Sequence, residues 1–228
     1  MEHTPQSPLT AIWTNVEDHA LERQSPGLAR ARADATEAGI PQGSAAQAEL
    51  LRALEHMVGA TSVIVVGTGA VVETYQLLDG LDGHGQLTAV DSSAQGIAMI
   101  RSLLRELADS TQASLRAVSA PAKVFLPRLN AADYHLIVVA GDVDNYRATY
   151  EQAPRLLNKG GIIAFTDILA LAGQTADYAA GDGVGMDDAP DTRKADAMRQ
   201  LLADVEEDER FESTLTPSGT GLLLAVKR

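Results

Sequence analysis

Two glycines and a handful of aspartates are the residues of this chain best placed to do chemistry. In VIVVGTGA, residues 63–70, a β-branched run ends at Gly67 and Gly69, and a helical pattern follows. Glycines at such a junction let the backbone turn tightly and leave bare amides at a helix N-terminus, where a ligand can approach them. The third glycine of a G-x-G-x-x-G motif is missing, with Val72 in its place. The motif therefore also fits a plain strand–helix turn. Asp91 closes the run LTAVD, at the tip of the next predicted strand. A carboxylate beside the glycine turn can accept both hydroxyls of a ribose, whichever adenosine-bearing cofactor carries it. It can equally cap the following helix together with Ser92 or Ser93.

A second group follows the apolar run HLIVVAG, residues 135–141. It comprises Asp142, Asp144, Asn145 and Tyr146, and Asp167 stands just beyond the later run GIIAF. Asn145 suits a helix N-cap, and Tyr146 fits either a cleft or the core. His135 lies inside a predicted strand and reads as a core histidine. The other histidines lack paired ligand spacing. Ser218, in TPSGTG, sits in a predicted hairpin turn, away from any strand–helix nucleophile elbow.

These residues need a scaffold, and the periodicity supplies one. Helices are predicted from Ser7 or Pro8 to about His19, from Ser25 to Glu37, and from Ser44 past Met57, with Pro26 and Gly39 marking the ends of the second. Strands and helices then alternate: TSVIVVG, a helix over 71–78, strand 86–91, a helix over 93–108, strand 114–118, a helix over 122–129, strand 135–141, a helix over 146–157, a turn at 158–161 and strand 161–165. Short continuous apolar strands of this kind suit a parallel sheet buried on both faces. Residues 171–192 predict a long loop, either a substrate lid or a disordered stretch. Asp191 would cap a helix to Glu207, and strands 211–215 and 221–227 would close the chain as an antiparallel hairpin. The expectation is one α/β domain over 1–228, with N-terminal helices over 1–58 and a doubly wound, Rossmann-like core over 59–228.

Bulk composition narrows the function classes. The 228 residues carry a formal net charge of −13, and no Lys/Arg cluster offsets it. Nucleic acid, which is bound by neutralising phosphates, is therefore not an expected partner. No apolar run approaches the roughly 20 residues that span a bilayer, so no membrane partner is expected. The chain has no cysteine, which removes thiolate metal sites and cysteine nucleophiles. With no secretory signal visible, the expected location is the cytoplasm.

The order strand, acidic turn, helix ending in RLLNKGG, then strand, over residues 134–165, resembles the catechol and caffeoyl-coenzyme-A O-methyltransferase-like family, especially its compact bacterial members. VVGTGA at 65–70, LTAVD at 87–91, FLPRL at 125–129, EDERF at 207–211 and GLLLAVK at 221–227 agree with it, and the likeness runs from about Leu28 to Arg228. The resemblance implies a class I methyltransferase fold, with seven strands, mostly parallel, and a terminal antiparallel hairpin. It also implies S-adenosyl-L-methionine as cofactor, a small-molecule hydroxyl acceptor and a homodimer. On that basis the expected cofactor contacts are Val66, Gly67, Thr68, Gly69, Asp91, Ser92, Ala120, Ala140, Asp142 and Tyr146. Asp142 and Asp167 are the candidate catalytic residues.

The departures from the family pattern fall where the chemistry belongs. Val65 replaces an acidic residue, and Val71 and Ala120 replace glycines. Ala140, Thr166 and Asp167 stand where metal-dependent members carry an Asp and then an Asp-Asn pair, and Val143 stands where a lysine is common. One carboxylate and a hydroxyl make a poor cage for a hard divalent ion, so no metal is expected. A site shifted onto Asp142 and Asp144 is the alternative. Two other functions stay open on the same residues. One is a methyltransferase fold that has lost turnover and binds cofactor or a protein partner. The other is an NAD-dependent oxidoreductase, which the missing Tyr-x-x-x-Lys pair disfavours.

Overall fold

The computed structural model describes residues 8–67, 69–169 and 192–228. Helices α1 (Pro8–Glu22), α2 (Pro26–Glu37) and α3 (Ala45–Met57) open the chain. Ser25 and Ser44 cap the second and third, accepting from the amides of Leu28 and Gln47. Glu17 of α1 reaches the amides of Ala45 and Ala46, at 2.6 and 3.1 Å. It thereby satisfies orphan donors at the start of α3 and places a negative charge at the positive end of that helix. The first helix is tied to the third through this contact.

The core then alternates as the sequence predicts. In order come β1 (Ser62–Val66), α4 (Val71–Gly80), β2 (Gln86–Asp91), α5 (Ala94–Leu107), β3 (Ser114–Ser119), α6 (Ala122–Phe125), β4 (Tyr134–Val139), α7 (Val143–Leu156), β5 (Leu157–Phe165), α8 (Thr192–Glu206), β6 (Phe211–Thr216) and β7 (Leu222–Lys227). The seven strands form one sheet in the order β3-β2-β1-β4-β5-β7-β6. All pairings are parallel except those of β7, which runs antiparallel to both neighbours. The central strands β1 and β4 are buried from Ser62 to Val66 and from Leu136 to Val139. That is why both read as unbroken apolar runs. One core layer packs Ile64, Ile137, Tyr146, Tyr150 and Phe165 under α7 and α8. The opposite layer packs Leu51, Val63, Leu77, Leu87 and Leu136 under α3 to α5.

Three local expectations need correction. NKGG does not separate a helix from a strand by a free turn. Strand β5 already begins at Leu157, opposite Tyr134, and a register shift between Tyr134 and Leu136 absorbs the extra residues. Gly160, at φ 77°, supplies the left-handed residue this requires. The cap of α7 is Asp142, whose carboxylate accepts from the Asp144 amide at 3.2 Å; Asn145 is buried in the first turn. His135 is half-buried at the start of β4, the end opposite the strand tips. The predicted 171–192 loop and the Asp191 cap lie outside the described residues, apart from Thr192.

Candidate functional site

In a doubly wound sheet the ligand crevice opens at the strand C-termini, where the strand order reverses. Here the reversal lies between β1 and β4. The two tips touch, the Ala140 amide donating to Val66 O at 2.7 Å, and on the other side of β1 the Gly67 amide donates to Val90 O of β2. A β-carbon on Gly67 would collide with the Ala140 carbonyl. Only glycine lets β1 leave the sheet so close to β4. Val66 is fully buried beneath the turn and Ala140 is 7% exposed. Thr68 lies outside the described residues.

Asp91 stands at the tip of β2 and is 2% exposed. Its Oδ2 accepts from the Gly69 amide and its Oδ1 from the Ser93 amide, each at 2.7 Å. The carboxylate therefore braces the glycine turn, a role the sequence did not disclose. Ser93 caps α5, accepting from Gly96 N at 3.1 Å, and Ser92 is exposed beside it. A carboxylate offers about four acceptor positions, so two amide bonds leave room for ribose hydroxyls. Burial pushes the Asp91 carboxyl above its usual range, against the pull of the Ser93 and Gly69 amides. Ala120 extends the β2–β3 ladder, donating to Asp91 O at 3.1 Å.

The glycine turn has a lid that sequence reasoning missed. Ala70, at the start of α4, offers no side-chain cap. Gln42 takes over from a distance: its Oε1 accepts from the Val72 amide at 3.1 Å, and its Nε2 donates to Gly69 O at 2.9 Å. Ile40 packs where a side chain on Gly69 would have to go. The Ile40–Gln42 segment thus bounds the crevice on the side of the N-terminal helices.

Glu73, in the first turn of α4, is 3% exposed. Burial pushes its carboxyl up, with Asp167 adding to the effect and Arg32 opposing it. Arg32 donates to Gly43 O at 2.7 Å, and burial lowers its pKa. Neither residue lay in a recognisable motif.

The tips of β4 and β5 form the other half. Asp142 is exposed and committed to its cap. Tyr146 is 1% exposed and packs on Phe165, with ring centroids 6.4 Å apart. Its hydroxyl reaches Thr166 Oγ1 and Asp167 Oδ2, each at 3.3 Å. Burial, followed by the Asp167 charge, holds the phenol well above its usual range. The question of cleft or core resolves to a core ring with its hydroxyl under the site. Asp167 adopts φ 57°, a left-handed conformation that Asp tolerates better than most side chains. Its Oδ1 accepts from Thr220, and its Oδ2 from Lys194 Nζ at 3.0 Å. Lys194 also donates to Gly141 O at 3.2 Å.

These residues do not fit a divalent metal. Ala140 offers only a methyl group. Thr166 Oγ1 donates to Val139 O at 3.1 Å, and both Asp167 oxygens are engaged by Thr220, Tyr146 and Lys194. Among the described residues no cluster of three His, Asp or Glu side chains could hold such an ion.

Sequence comparison decides what this crevice belongs to. Residues 22–228 match the model of the O-methyltransferase family. The chain belongs to the O-methyltransferase family. A relative from Mycobacterium tuberculosis, named as a probable O-methyltransferase, is 31% identical over 217 residues, 95% of this chain and 91% of its own length. A Mycolicibacterium smegmatis relative of the same kind shares 31% identity over 95% of this chain and 97% of its own. Solved structures agree on the fold. The O-methyltransferase of Bacillus cereus, crystallised with S-adenosylhomocysteine, superposes with a TM-score of 0.74 at 18% identity, covering 96% of this chain and 99% of that one. TomG of Streptomyces achromogenes, crystallised with S-adenosylmethionine, gives 0.71 at 19% identity, covering 95% and 97%. This O-methyltransferase thus has the class I methyltransferase sheet, with its crevice where the reversal of strand order puts it.

Proposed function

We propose that this O-methyltransferase transfers the methyl group of S-adenosyl-L-methionine to a hydroxyl oxygen of a small acceptor. The observation that carries the reading is the buried Asp91 carboxylate, fixed by the Gly69 amide at the mouth of the β1–β4 crevice. There it is placed to accept ribose hydroxyls while the Gly67–Gly69 backbone lies against the rest of the cofactor. Ser92 and Ala120 border the adenine side in this reading. Thr68, Ala140 and Asp142 complete the cofactor contacts, and Val66 and Tyr146, both buried, support them from beneath.

The cofactor supplies an activated methyl group, and the protein has to align an oxygen with the carbon–sulfur bond. Holding both reactants in one crevice removes most of the entropic cost of their meeting. Asp167 stands at the acceptor end and Asp142 at its rim, as candidates to take the hydroxyl proton. No step runs through a metal, because the side chains present do not form its cage. The chain works as one domain in this reading. A homodimer in the cytoplasm belongs to it too, on the resemblance to the family; the exposed apolar ridge Leu9, Ile12 and Val16 of α1 supports pairing. Among the described residues, no helix is long and apolar enough to cross a membrane.

Calorimetry with S-adenosylhomocysteine tests the reading directly. Binding with a micromolar Kd is expected, together with turnover on part of a phenol panel. A folded sample that ignores millimolar ligand would remove the proposal. Binding without any turnover would favour the alternative in which the fold survives without catalysis.

A further inference from the structure

The tips of β4 and β5 lack the two carboxylates that the family resemblance implies at positions 140 and 166, yet a cation stands between them. Lys194, on the first turn of α8, places its Nζ 3.0 Å from Asp167 Oδ2 and 3.2 Å from Gly141 O. It also lies 5.9 Å from the centroid of the Tyr146 ring. Two of its hydrogen-bond acceptors, Gly141 and Asp167, directly follow Ala140 and Thr166, the positions whose counterparts the family resemblance assigns to metal ligands. The ammonium therefore bridges the same two loops that a divalent ion would bridge. The side chains of Lys194 and Asp167 are 25% and 28% exposed, so the pair sits at the rim, where an acceptor would enter.

We propose that the Lys194 ammonium takes the place of the divalent cation in this O-methyltransferase and stabilises the acceptor's oxygen as the oxyanion that attacks the methyl group. The inference rests on the methyl-transfer reading above. The acceptor hydroxyl loses its proton to solvent or to a rim carboxylate. Its oxygen forms a bond to the methyl carbon, and the carbon–sulfur bond breaks with its electron pair going to sulfur. The products are a methyl ether, S-adenosylhomocysteine and one proton. A neighbouring positive charge favours the ionised hydroxyl, and a fixed cation acts where negative charge is concentrated. An ammonium carries one charge on a compact head and does not chelate two oxygens as a metal does. The acceptor class is therefore a single acidic hydroxyl, a phenol, rather than a vicinal diol held by both oxygens.

The test uses the full chain in EDTA, with S-adenosylhomocysteine binding measured on every variant. If the unaltered protein fails to bind that ligand, the methyl-transfer reading itself fails. Where it binds, Lys194→Met should leave the Kd within about threefold, because Asp91 and the Gly67–Gly69 turn, which hold the nucleoside, make no contact with Lys194. It should lower kcat about a hundredfold on weakly acidic phenols and much less on nitrophenol, which ionises without help. Lys194→Arg should restore part of the loss. Equal turnover by Lys194→Met, a uniform loss over the whole phenol series, or abolition of the native activity by EDTA would each overturn the proposal.

A second arm needs no turnover. In a chain carrying Ala140→Asp and Thr166→Asp, adding Lys194→Met should tighten Mn²⁺ binding at least about tenfold, since the ammonium competes for the same space and charge. Equal Mn²⁺ affinity with and without Lys194 in folded protein would show that it stands elsewhere. Stoichiometric Mn²⁺ binding by the unaltered chain, lost in Asp167→Asn, would also overturn the proposal.

Discussion

The crevice has two halves, and they have diverged to different degrees. On the nucleoside side, at the tips of β1 and β2, the work is done by backbone geometry. Gly67 lets two strands approach, Gly69 donates an amide, and one carboxylate ties the turn to the next helix. The departures Val65 and Val71 leave this arrangement intact, since both side chains are buried in the core behind it. On the acceptor side, at the tips of β4 and β5, the pattern that the family resemblance implies depends on two carboxylates and an amide, and Ala140 and Thr166 replace both carboxylates. Backbone-built function tolerates side-chain drift. Function built from carboxylates changes with each replacement, and here a lysine from a distant helix has entered the gap.

The largest effect expected is that of Gly67→Ala. Its new methyl group would meet the Ala140 carbonyl, and a backbone atom cannot swing aside. Overpacking of this kind costs about 3 kcal/mol, read as a Tm lower by about 6–12 °C, with cofactor binding lost. A stable, ligand-competent variant would mean that the two tips do not touch.

The two aspartates sharpen the contrast. Asp91→Asn should weaken S-adenosylhomocysteine about 10- to 100-fold, the range of a lost bond to a charged group, without changing the order of preference among acceptors. Asp167→Asn should do the reverse, leaving that Kd nearly untouched and lowering kcat. If both variants shift both constants alike, the halves are not separable. Because Asp91 also satisfies two amides, Asp91→Ala should lower Tm as well as affinity.

A smaller and more pointed effect is expected at Gly96. Inside a helix, Gly→Ala ordinarily stabilises by about 1 kcal/mol. Here the added methyl group would run into Asp91 Oδ2 and come within 2.8 Å of Gly69 N. Stability should fall by about 1–2 kcal/mol, and a rise in Tm would break the packing described around the nucleoside side.

The smallest effect belongs to a residue in neither half. Glu55 of α3 is fully buried, and neither carboxyl oxygen has a hydrogen-bond partner among the described residues. Burial, helped by the charges of Asp82 and Asp79, pushes its pKa to about 8. A raised carboxyl binds its proton more tightly in the folded than in the unfolded chain. Its contribution is therefore complete below pH 4.5 and is lost as pH rises towards 8. Glu55→Gln should raise Tm by about 2–4 °C at pH 8, do little at pH 4.5, and leave every ligand constant unchanged.

Much of the frame was readable in order along the chain. The β-branched run before Gly67 and the apolar run before Gly141 could only be buried strands, and their alternation with amphipathic helices implied the doubly wound sheet. Ser25 and Ser44 announced their helices by residue type. The start of β5 was misread because NKGG has turn chemistry, while the sheet incorporates it through a bulge that only the Tyr134–Leu157 pairing reveals. Asn145 and Asp142 are both good caps, and the backbone chose the earlier one.

What the sequence determined alone is whatever depends on neighbours in the chain: the strand–helix rhythm, the glycine turn and the carboxylate placed at the strand tip after it. The tertiary structure decided which distant groups meet there. Gln42 reaches Gly69 across 27 residues, and Lys194 reaches Asp167 across 27 and Gly141 across 53. Such contacts follow from how helices pack over the sheet. A hydrogen bond spans about 3 Å, a distance that local periodicity does not encode for groups so far apart in the chain.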